Sequence, residues 1–346
     1  MRQNQKLSFR FIFIIILIPI FFISGCRKIP GRKTAISETA FYFDTAVTIT
    51  LYGDENKKYI AQAFELCEYY ENLFSKSIPA SDVSRINQTS ASGIPAAVAD
   101  DTFRLIQKSI EYSERSNGAF DITTGALSAL WDFTGEHPAV PSESMISECL
   151  LTVDYRSVLL DVNNNTVMLT RPGTILDLGG IAKGFIADKL KEYLQSQGIR
   201  NGIINLGGNI LLLQDKPDGS PYSIGLQKPF GTGGETIATL QLTDKSIVSS
   251  GIYERYFYEN DTLYHHILDT ATGYPVTNDL LGVTIISDCS ADGDALSTAC
   301  FTLGTEDGLE LVESLPRTEA VFITSDHQLI LSSGLKKTGN IIILKE

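Results

Sequence analysis

The 346-residue sequence is poor in cysteine and in positive charge. Apart from Cys26, its cysteines are Cys67, Cys149, Cys289 and Cys300, and none of them forms a C-x-x-C pair. No zinc site is therefore expected. Lys and Arg number 28 against 41 Asp and Glu, a formal net charge of −13. Because a nucleic-acid partner requires a basic face, this balance argues against one. A polyanionic ligand would need a local basic group or a metal ion.

The sequence also lacks a Walker loop, a G-x-G-x-x-G motif and the two similar α/β halves of a hinged solute-binding lipoprotein. It has instead L-D-L-G-G-I-A-K-G-F-I-A over residues 176–187, which predicts a strand, a glycine turn and the start of a helix. Glycines allow close backbone approach, and the N-terminus of a helix suits a phosphate. A tight strand-to-helix connection with a surface lysine is the alternative.

The first 25 residues differ in composition from the rest. Arg2, Lys6 and Arg10 precede an apolar run over residues 11–23. A basic start, a short apolar stretch and small residues before a cleavage point are typical of a secretory signal peptide. The apolar run is short for a membrane-spanning helix. We therefore predict a signal peptide over residues 1–25, whose removal changes the formal net charge from −13 to −16.

Ser24 and Gly25 directly before Cys26 resemble the lipobox of bacterial lipoproteins. This resemblance implies cleavage before Cys26 and lipidation of its thiol, with palmitate among the acyl chains. Several acyl chains on one terminus anchor a protein firmly. We expect an exported protein, lipid-anchored to the extracytoplasmic face of a membrane, with a tether over residues 26–40 and one domain over 41–346. An uncleaved N-terminal anchor is the alternative.

Apolar periodicity predicts an α+β fold with mixed, mostly antiparallel sheets and packed helices. Strands are predicted at 41–51 and 202–213, and a hairpin at 159–169. Helices are predicted at 59–74, 101–116, 185–194 and 307–315, and another from about Asp294.

Three polar stretches are candidates for a site. The segment G-A-F-D-I-T-T-G-A-L (118–127) either lines a cleft for a planar ligand or forms a buried, well-capped turn. A strand would direct His265 and His266 to opposite faces, so one should face the cleft, although adjacent histidines are usually structural. Asp294 and Thr298 share a helix face and offer the oxygen ligands that Mg²⁺ prefers. Alternatively, Asp294 caps the helix and Thr298 bonds back to a carbonyl.

Eight blocks in this order resemble the ApbE family, the FAD:protein FMN transferases, and together they cover most of the chain after the leader. The blocks are Phe43–Thr45, Ser81–Asn87, Gly118–Gly125, Asp177–Gly184, Asn205–Gly208, Ser249–Gly251, His266–Pro275 and Asp294–Thr298. The resemblance implies a two-lobed catalytic domain that holds FAD and Mg²⁺. It also implies that a threonine hydroxyl of a partner flavoprotein, within a D-x-[ST]-G-A-T-like motif, attacks the FMN phosphate and that AMP leaves.

The resemblance also assigns site residues by position. The metal ligands would be the carbonyl of Gly180, Asp294 and Thr298. The FAD contacts would be Phe43, Ala119, Phe120, Asp121, Asp177, Lys183 and Ile267. His266 would assist deprotonation of the incoming hydroxyl, since a histidine pKa ordinarily lies closest to neutral. Many relatives have Met at the position of Phe43 and Tyr at the position of Ser77.

Two other functions fit the same residues. The first is a Mg²⁺-dependent FAD pyrophosphatase, in which water replaces the threonine and FMN and AMP are released. The second is a non-catalytic, FAD-binding lipoprotein. The Asp294–Thr298 pair argues against the second function, because binding alone needs no metal at the scissile phosphate.

Overall fold

The computed structural model describes residues 34–53, 56–90 and 92–345. The predicted signal peptide and Cys26 lie outside these residues, as does the tether up to residue 33. Within the described ranges, no helix has both the length and the apolar character needed to cross a membrane.

The described residues form seven α-helices and seventeen β-strands. The helices are α1 (Lys57–Phe74), α2 (Asp82–Thr89), α3 (Asp100–Arg115), α4 (Gly125–Trp131), α5 (Glu143–Leu150), α6 (Ala182–Ser196) and α7 (Ser290–Glu313). The strands are β1 (Ala35–Tyr42), β2 (Thr45–Tyr52), β3 (Ala96–Ala97), β4 (Val158–Asp161), β5 (Thr166–Leu169), β6 (Gly202–Leu206), β7 (Asn209–Leu213), β8 (Tyr222–Gln227), β9 (Thr236–Leu242), β10 (Ser246–Gly251), β11 (Tyr256–Glu259), β12 (Thr262–His265), β13 (Leu280–Ser287), β14 (Glu319–Thr324), β15 (Leu329–Leu331), β16 (Leu335–Thr338) and β17 (Ile341–Leu344).

The centre of the fold is an eight-stranded sheet in the order β1-β2-β6-β7-β10-β13-β14-β15. Each neighbouring pair in it is antiparallel. A four-stranded sheet, β16-β17-β9-β8, contains one parallel pair, β17 with β9. Two smaller sheets, β3-β5-β4 and β11-β12, complete the fold. The prediction of an α+β fold with mostly antiparallel sheets is therefore confirmed.

Alternation along the central strands separates two hydrophobic cores. On β13, Ile285 packs in the core that includes the helices, whereas Ile286 packs with the four-stranded sheet. Leu211 and Leu212 on β7 divide in the same way. Successive strand residues point to opposite faces, so the central sheet lies between a helical layer and the four-stranded sheet.

Two predicted strands are in fact hairpins. The run 41–51 is interrupted by Phe43 and Asp44, which both have φ of 56° and form a two-residue turn between β1 and β2. The run 202–213 turns at Gly207 and Gly208, whose φ angles are 60° and 95°. Left-handed conformations at both central residues match the twist of a tight hairpin. Since β1 starts at Ala35, the predicted tether over 26–40 is too long at its C-terminal end.

Helix α7 also differs from the prediction. It begins at Ser290, before the predicted start near Asp294, because the Asp188 carboxylate accepts the N–H groups of Ser290 and Ala291 at 2.8 and 2.9 Å. The helix continues across a kink at Gly304 (φ 82°, ψ −174°) and includes most of the helix predicted at 307–315. Helix termini need such outside acceptors, and a sequence pattern does not show an acceptor from another helix.

Candidate active site

The N-termini of α6 and α7 meet and cap each other. Asp294 on α7 accepts the Gly184 N–H of α6 at 2.8 Å, while Asp188 on α6 caps the start of α7. A Cβ at Gly184 would overlap the Ser290 carbonyl oxygen, so only glycine allows this approach. The contact fixes the Asp294 side chain, which is only 5% exposed. Asp294 therefore caps α6, and the predicted alternative that it caps its own helix is wrong.

Two side-chain oxygens that accept no hydrogen bond within the described residues lie beside this contact. Asp294 Oδ1 lies 4.0 Å from Lys183 Nζ, and the Thr298 hydroxyl makes no hydrogen bond within the described chain. A Cβ at Gly180 would lie 3.7 Å from Thr298 Oγ1, so the glycine turn adjoins the hydroxyl. The three residues predicted as metal ligands are thus brought together around the α6–α7 contact.

This set of donors fits Mg²⁺. The described residues contain no group of three or more His, Cys, Asp or Glu side chains that could hold a metal ion. Zinc sites need three or four such ligands, whereas Mg²⁺ uses one or two carboxylates and completes its shell with water and substrate oxygens. A single buried carboxylate beside a hydroxyl and a backbone turn suits a magnesium ion shared with a phosphate ligand.

The glycine turn is held by a lysine that the sequence did not indicate. Lys76 Nζ lies 2.5 Å from Asp177 Oδ2 and 3.3 Å from Ser128 Oγ, and Asp177 Oδ1 accepts the Gly179 N–H at 2.9 Å. Burial acts to raise the pKa of Asp177, but the Lys76 charge and these hydrogen bonds outweigh it, so the pKa is lowered. Asp177 is thus an anion that is already paired within the turn.

Lys183 supplies a positive charge on this turn, at 4.0 Å from Asp294 Oδ1. Its Nζ donates to the Gly179 carbonyl at 3.1 Å. The N–H groups of Ile181 and Ala182 donate to Leu178, and that of Gly184 donates to Asp294. Several backbone donors expected for a phosphate are therefore already used, and the Lys183 ammonium is the group that can reach an anion.

The two adjacent histidines have different environments, but the strand predicted to carry both of them ends at His265, so His266 lies in the loop that follows β12. His265 is buried, donates from Nε2 to the Val276 carbonyl at 3.0 Å and accepts the Ile267 N–H at 3.3 Å. Burial lowers its pKa to about 4. A buried imidazole with both nitrogens bonded is a structural group.

His266 has one free nitrogen. Its Nδ1 lies 3.3 Å from the Arg255 carbonyl, which can only accept, so Nδ1 carries the proton and Nε2 offers a lone pair. Burial, the Arg255 charge and smaller effects of His265 and Lys183 lower its pKa to about 3. The expectation of a pKa near neutrality is therefore wrong, but at pH 7 the imidazole is in the proton-accepting form.

Glu254 and Arg255 belong to the same charged cleft and were missed from the sequence. Burial raises the pKa of Glu254 to about 7, Lys183 and Arg255 oppose this increase, and Asp294 adds to it. Solvent still reaches part of both side chains. The sequence could have indicated Glu254 and Arg255 as site residues, because they follow the Ser249–Gly251 block by three and four residues.

The remaining predicted FAD contacts are spread more widely. Phe120 is buried against Gly180, with its ring 3.1 Å from where a Cβ would stand, and Ala119 is half-buried beside it. The Asp121 carboxylate is used within the chain, by Thr123 at 2.7 and 2.6 Å and by the Tyr155 N–H at 2.9 Å. Burial raises the pKa of Asp121 against these hydrogen bonds. Of the two alternatives for the segment 118–127, the hydrogen bonds of Asp121 therefore match the buried, well-capped turn.

Phe43 and Ile267 are not joined to the α6–α7 contact by any described hydrogen bond or ring contact. Phe43 lies in the β1–β2 turn, where its N–H donates to Glu71 Oε1 at 2.7 Å. Ile267 is 4% exposed and belongs to the helical core. Ser77, at the position where many relatives have Tyr, is exposed beside Lys76.

Comparison with known proteins assigns this fold and site to a family. A family model described as "ApbE family" matches residues 43–322. The FAD:protein FMN transferase of Klebsiella pneumoniae is 36% identical over 297 residues, which cover 86% of this chain and 92% of that protein. The crystal structure of the ApbE protein from Thermotoga maritima has a TM-score of 0.79 and 31% identity over 87% of this chain and 97% of that one.

A second solved structure, the flavin transferase ApbE from Vibrio cholerae, has a TM-score of 0.77 and 27% identity, over 87% of this chain and 98% of that one. The relatives named FAD:protein FMN transferase show that this chain is an enzyme of the transferase class. The chain belongs to the ApbE family.

Proposed function

We propose that this chain transfers the FMN part of FAD to a threonine hydroxyl of another protein, with Mg²⁺ bound and AMP released. The relatives named above support flavin transfer. The observation that carries the finer proposal is the free oxygen pair of Asp294 and Thr298 beside Gly180 and Lys183. This arrangement provides what a pyrophosphate needs, a place for a hard cation and an adjacent ammonium group.

In the proposed reaction, the threonine oxygen attacks the FMN phosphorus. The bond from that phosphorus to the oxygen that AMP retains breaks, and the hydroxyl proton passes to Nε2 of His266. Lys183 and Arg255 compensate charge on the phosphate oxygens in a chain that is otherwise acidic. Asp294, Thr298 and the Gly180 carbonyl would hold Mg²⁺, which, when bound, neutralises charge on the pyrophosphate.

The pyrophosphatase uses the same residues, so the site alone does not separate it from the transferase. A neutral His266 can accept a proton from water as well as from threonine. A non-catalytic, FAD-binding lipoprotein would not require the oxygen pair of Asp294 and Thr298 or the unprotonated Nε2 of His266. The relatives' names favour transfer to a protein.

We propose further that the protein acts outside the cytoplasm, anchored through lipidated Cys26, on an acceptor flavoprotein with a D-x-[ST]-G-A-T-like motif. The basic, apolar and small-residue pattern before Cys26 supports this location. Cys26→Ala should abolish labelling by radioactive palmitate and release the protein from membranes. Persistent labelling of this variant would contradict the proposed lipidation site.

The test of the reaction is a product balance. The protein would be incubated with FAD, Mg²⁺ and a flavoprotein domain carrying the acceptor motif, and nucleotides would be separated by chromatography. We expect one AMP for each FMN bound to the acceptor, no free FMN, and no product after chelation by EDTA. Equal amounts of free FMN and AMP without acceptor labelling would establish the pyrophosphatase. If the FAD remained intact, only the non-catalytic, FAD-binding function would remain.

A further inference from the structure

Three aromatic side chains form an exposed cluster near the site. Phe230, Tyr256 and Tyr258, called here the aromatic patch, are 45%, 40% and 62% exposed. The ring of Tyr256 lies edge-on to both neighbours, with centroid distances of 5.5 Å to Phe230 and 5.8 Å to Tyr258. Contiguous exposed aromatic surface is typical of interaction sites, where Tyr and Phe are enriched.

Two of these residues lie on the outer face of the β11–β12 hairpin. Its turn, Asn260–Asp261, has φ angles of 48° and 61°, and its inner face stacks Phe257 and Tyr264 on each other and against Trp131. The hairpin is thereby fixed to the body of the protein. Among the described strands, β11 pairs only with β12, so one edge of this rigid hairpin is free. An extended polypeptide can add to such an edge.

The third residue is held in place by a strained backbone. Phe230 has φ of 55°, an uncommon conformation for a bulky residue. Its loop is braced by hydrogen bonds from Lys228 N–H to the Glu235 carbonyl and from Gly231 N–H to the Lys228 carbonyl, both 3.0 Å. The Phe230 ring is thus presented to solvent from a loop whose backbone is fixed by hydrogen bonds.

The shape of the patch does not suit the flavin ring. The rings of the patch contact each other edge-to-face at 79° and 90°, so they form no slot between parallel faces that would enclose a planar ligand. The patch is an outward surface, which suits apolar side chains of another polypeptide.

The patch also adjoins the catalytic histidine. Tyr256 follows Arg255, whose carbonyl accepts the N–H of His266 at 3.1 Å and also orients its Nδ1. For transfer, the acceptor hydroxyl must come within about 3 Å of His266 Nε2. The chain on either side of that hydroxyl then has to cross the surface around Arg255.

We propose that the acceptor protein docks on the aromatic patch through an extended segment that flanks its D-x-[ST]-G-A-T-like motif and carries apolar side chains. This inference rests on the proposed function. The patch supplies affinity for the acceptor and takes no part in binding FAD or in the chemical step.

The test is steady-state kinetics of the double variant Phe230→Asn, Tyr258→Ser, with the flavoprotein domain that carries the acceptor motif. Asn tolerates the left-handed conformation, so the loop should be retained. We expect KM for the acceptor domain to rise roughly tenfold or more, as for loss of aromatic hot spots, with kcat and KM for FAD unchanged. The matched control is Tyr69→Ser, an exposed tyrosine on α1 that contacts no ring of the patch.

The other outcomes distinguish failure of the docking surface from failure of the proposed transferase function. An unchanged KM for the acceptor overturns the docking surface while leaving the transferase intact. A raised KM for FAD assigns the patch to the flavin instead. A wild-type protein that transfers no FMN to the domain rejects the proposed function and, with it, the docking surface.

Discussion

At the scale of single residues, Asp294 has two tasks that different substitutions can separate. Its Oδ2 caps α6 through the Gly184 N–H, and its Oδ1, 4.0 Å from the Lys183 ammonium, accepts no hydrogen bond within the described residues and is the oxygen proposed to bind a cation. Asparagine retains an oxygen for the N–H but loses the charge that a cation requires. Alanine removes both.

We therefore predict that Asp294→Asn abolishes FMN transfer with little change in the free energy of unfolding. Asp294→Ala should abolish transfer and also lower that free energy by about 1 kcal/mol, the usual effect of a lost helix cap. Denaturant unfolding and an assay of FMN transfer measure the two quantities. Substantial transfer by the Asn variant at moderate Mg²⁺ would contradict the assignment of Asp294 as a metal ligand.

His266→Ala should lower kcat for transfer by at least 100-fold without changing the affinity for FAD, since a positioned base contributes about that much. Because the pKa of His266 lies at about 3, protonation of His266 should cause no fall in kcat/KM between pH 8 and pH 6, so the His266→Ala variant and the wild type should show the same pH dependence in this range. His137→Ala, at an exposed histidine, is the control. A wild-type transfer rate in the His266 variant would remove this residue from the mechanism.

At the scale of elements, the α6–α7 contact organises the site. The two helices cap each other through Asp188 and Asp294, and Gly184 permits their approach. The metal-ligand candidates thus sit on a rigid junction, which is where a precisely placed site is expected.

Gly184→Ala should separate the two helices, because its Cβ would overlap the Ser290 carbonyl oxygen. Overpacking of this kind costs about 1–3 kcal/mol, so the melting temperature should fall clearly. Gly233→Ala, where a Cβ would meet nothing within 4 Å, should leave the melting temperature unchanged. Equal melting temperatures for the two variants would show that the helices do not depend on this approach.

How far the sequence predicts these features depends on how local they are. The i, i+4 spacing of Asp294 and Thr298 is local, and it correctly placed them on one helix face. The Lys76–Asp177 pair spans 101 positions and the Asp188 cap of α7 spans 102, so no local pattern reveals either. The β1–β2 turn was missed because Phe43–Asp44 lacks the glycine or asparagine typical of such turns.

At the scale of the whole molecule, the described residues from 34 to 345 cluster as one compact unit, and burial of titratable groups couples its stability to pH. The pKa of His265 is 6.5 when unfolded and about 4 when folded. The unfolded chain therefore binds more protons between these values. The contribution of His265 to the free energy of unfolding is therefore fully present above pH 6.5 and is lost as the pH falls toward 4.

We predict that His265 makes the free energy of unfolding decrease by up to about 3 kcal/mol between pH 7 and pH 4. In His265→Gln this contribution should be absent, so the difference from wild type should shrink as the pH falls. His137→Gln should follow the wild-type curve. A constant difference between wild type and His265→Gln across this range would contradict the buried, neutral state of His265.

The central claim is that the chain attaches FMN covalently to an acceptor threonine. Its most direct measurement is the intact mass of the acceptor domain after incubation with FAD and Mg²⁺, followed by peptide mapping. We expect a gain of one FMN on the motif threonine, with no gain when Asp294→Ala replaces the wild-type protein. An unchanged acceptor mass after incubation with folded wild-type protein, FAD and Mg²⁺ would contradict covalent attachment of FMN.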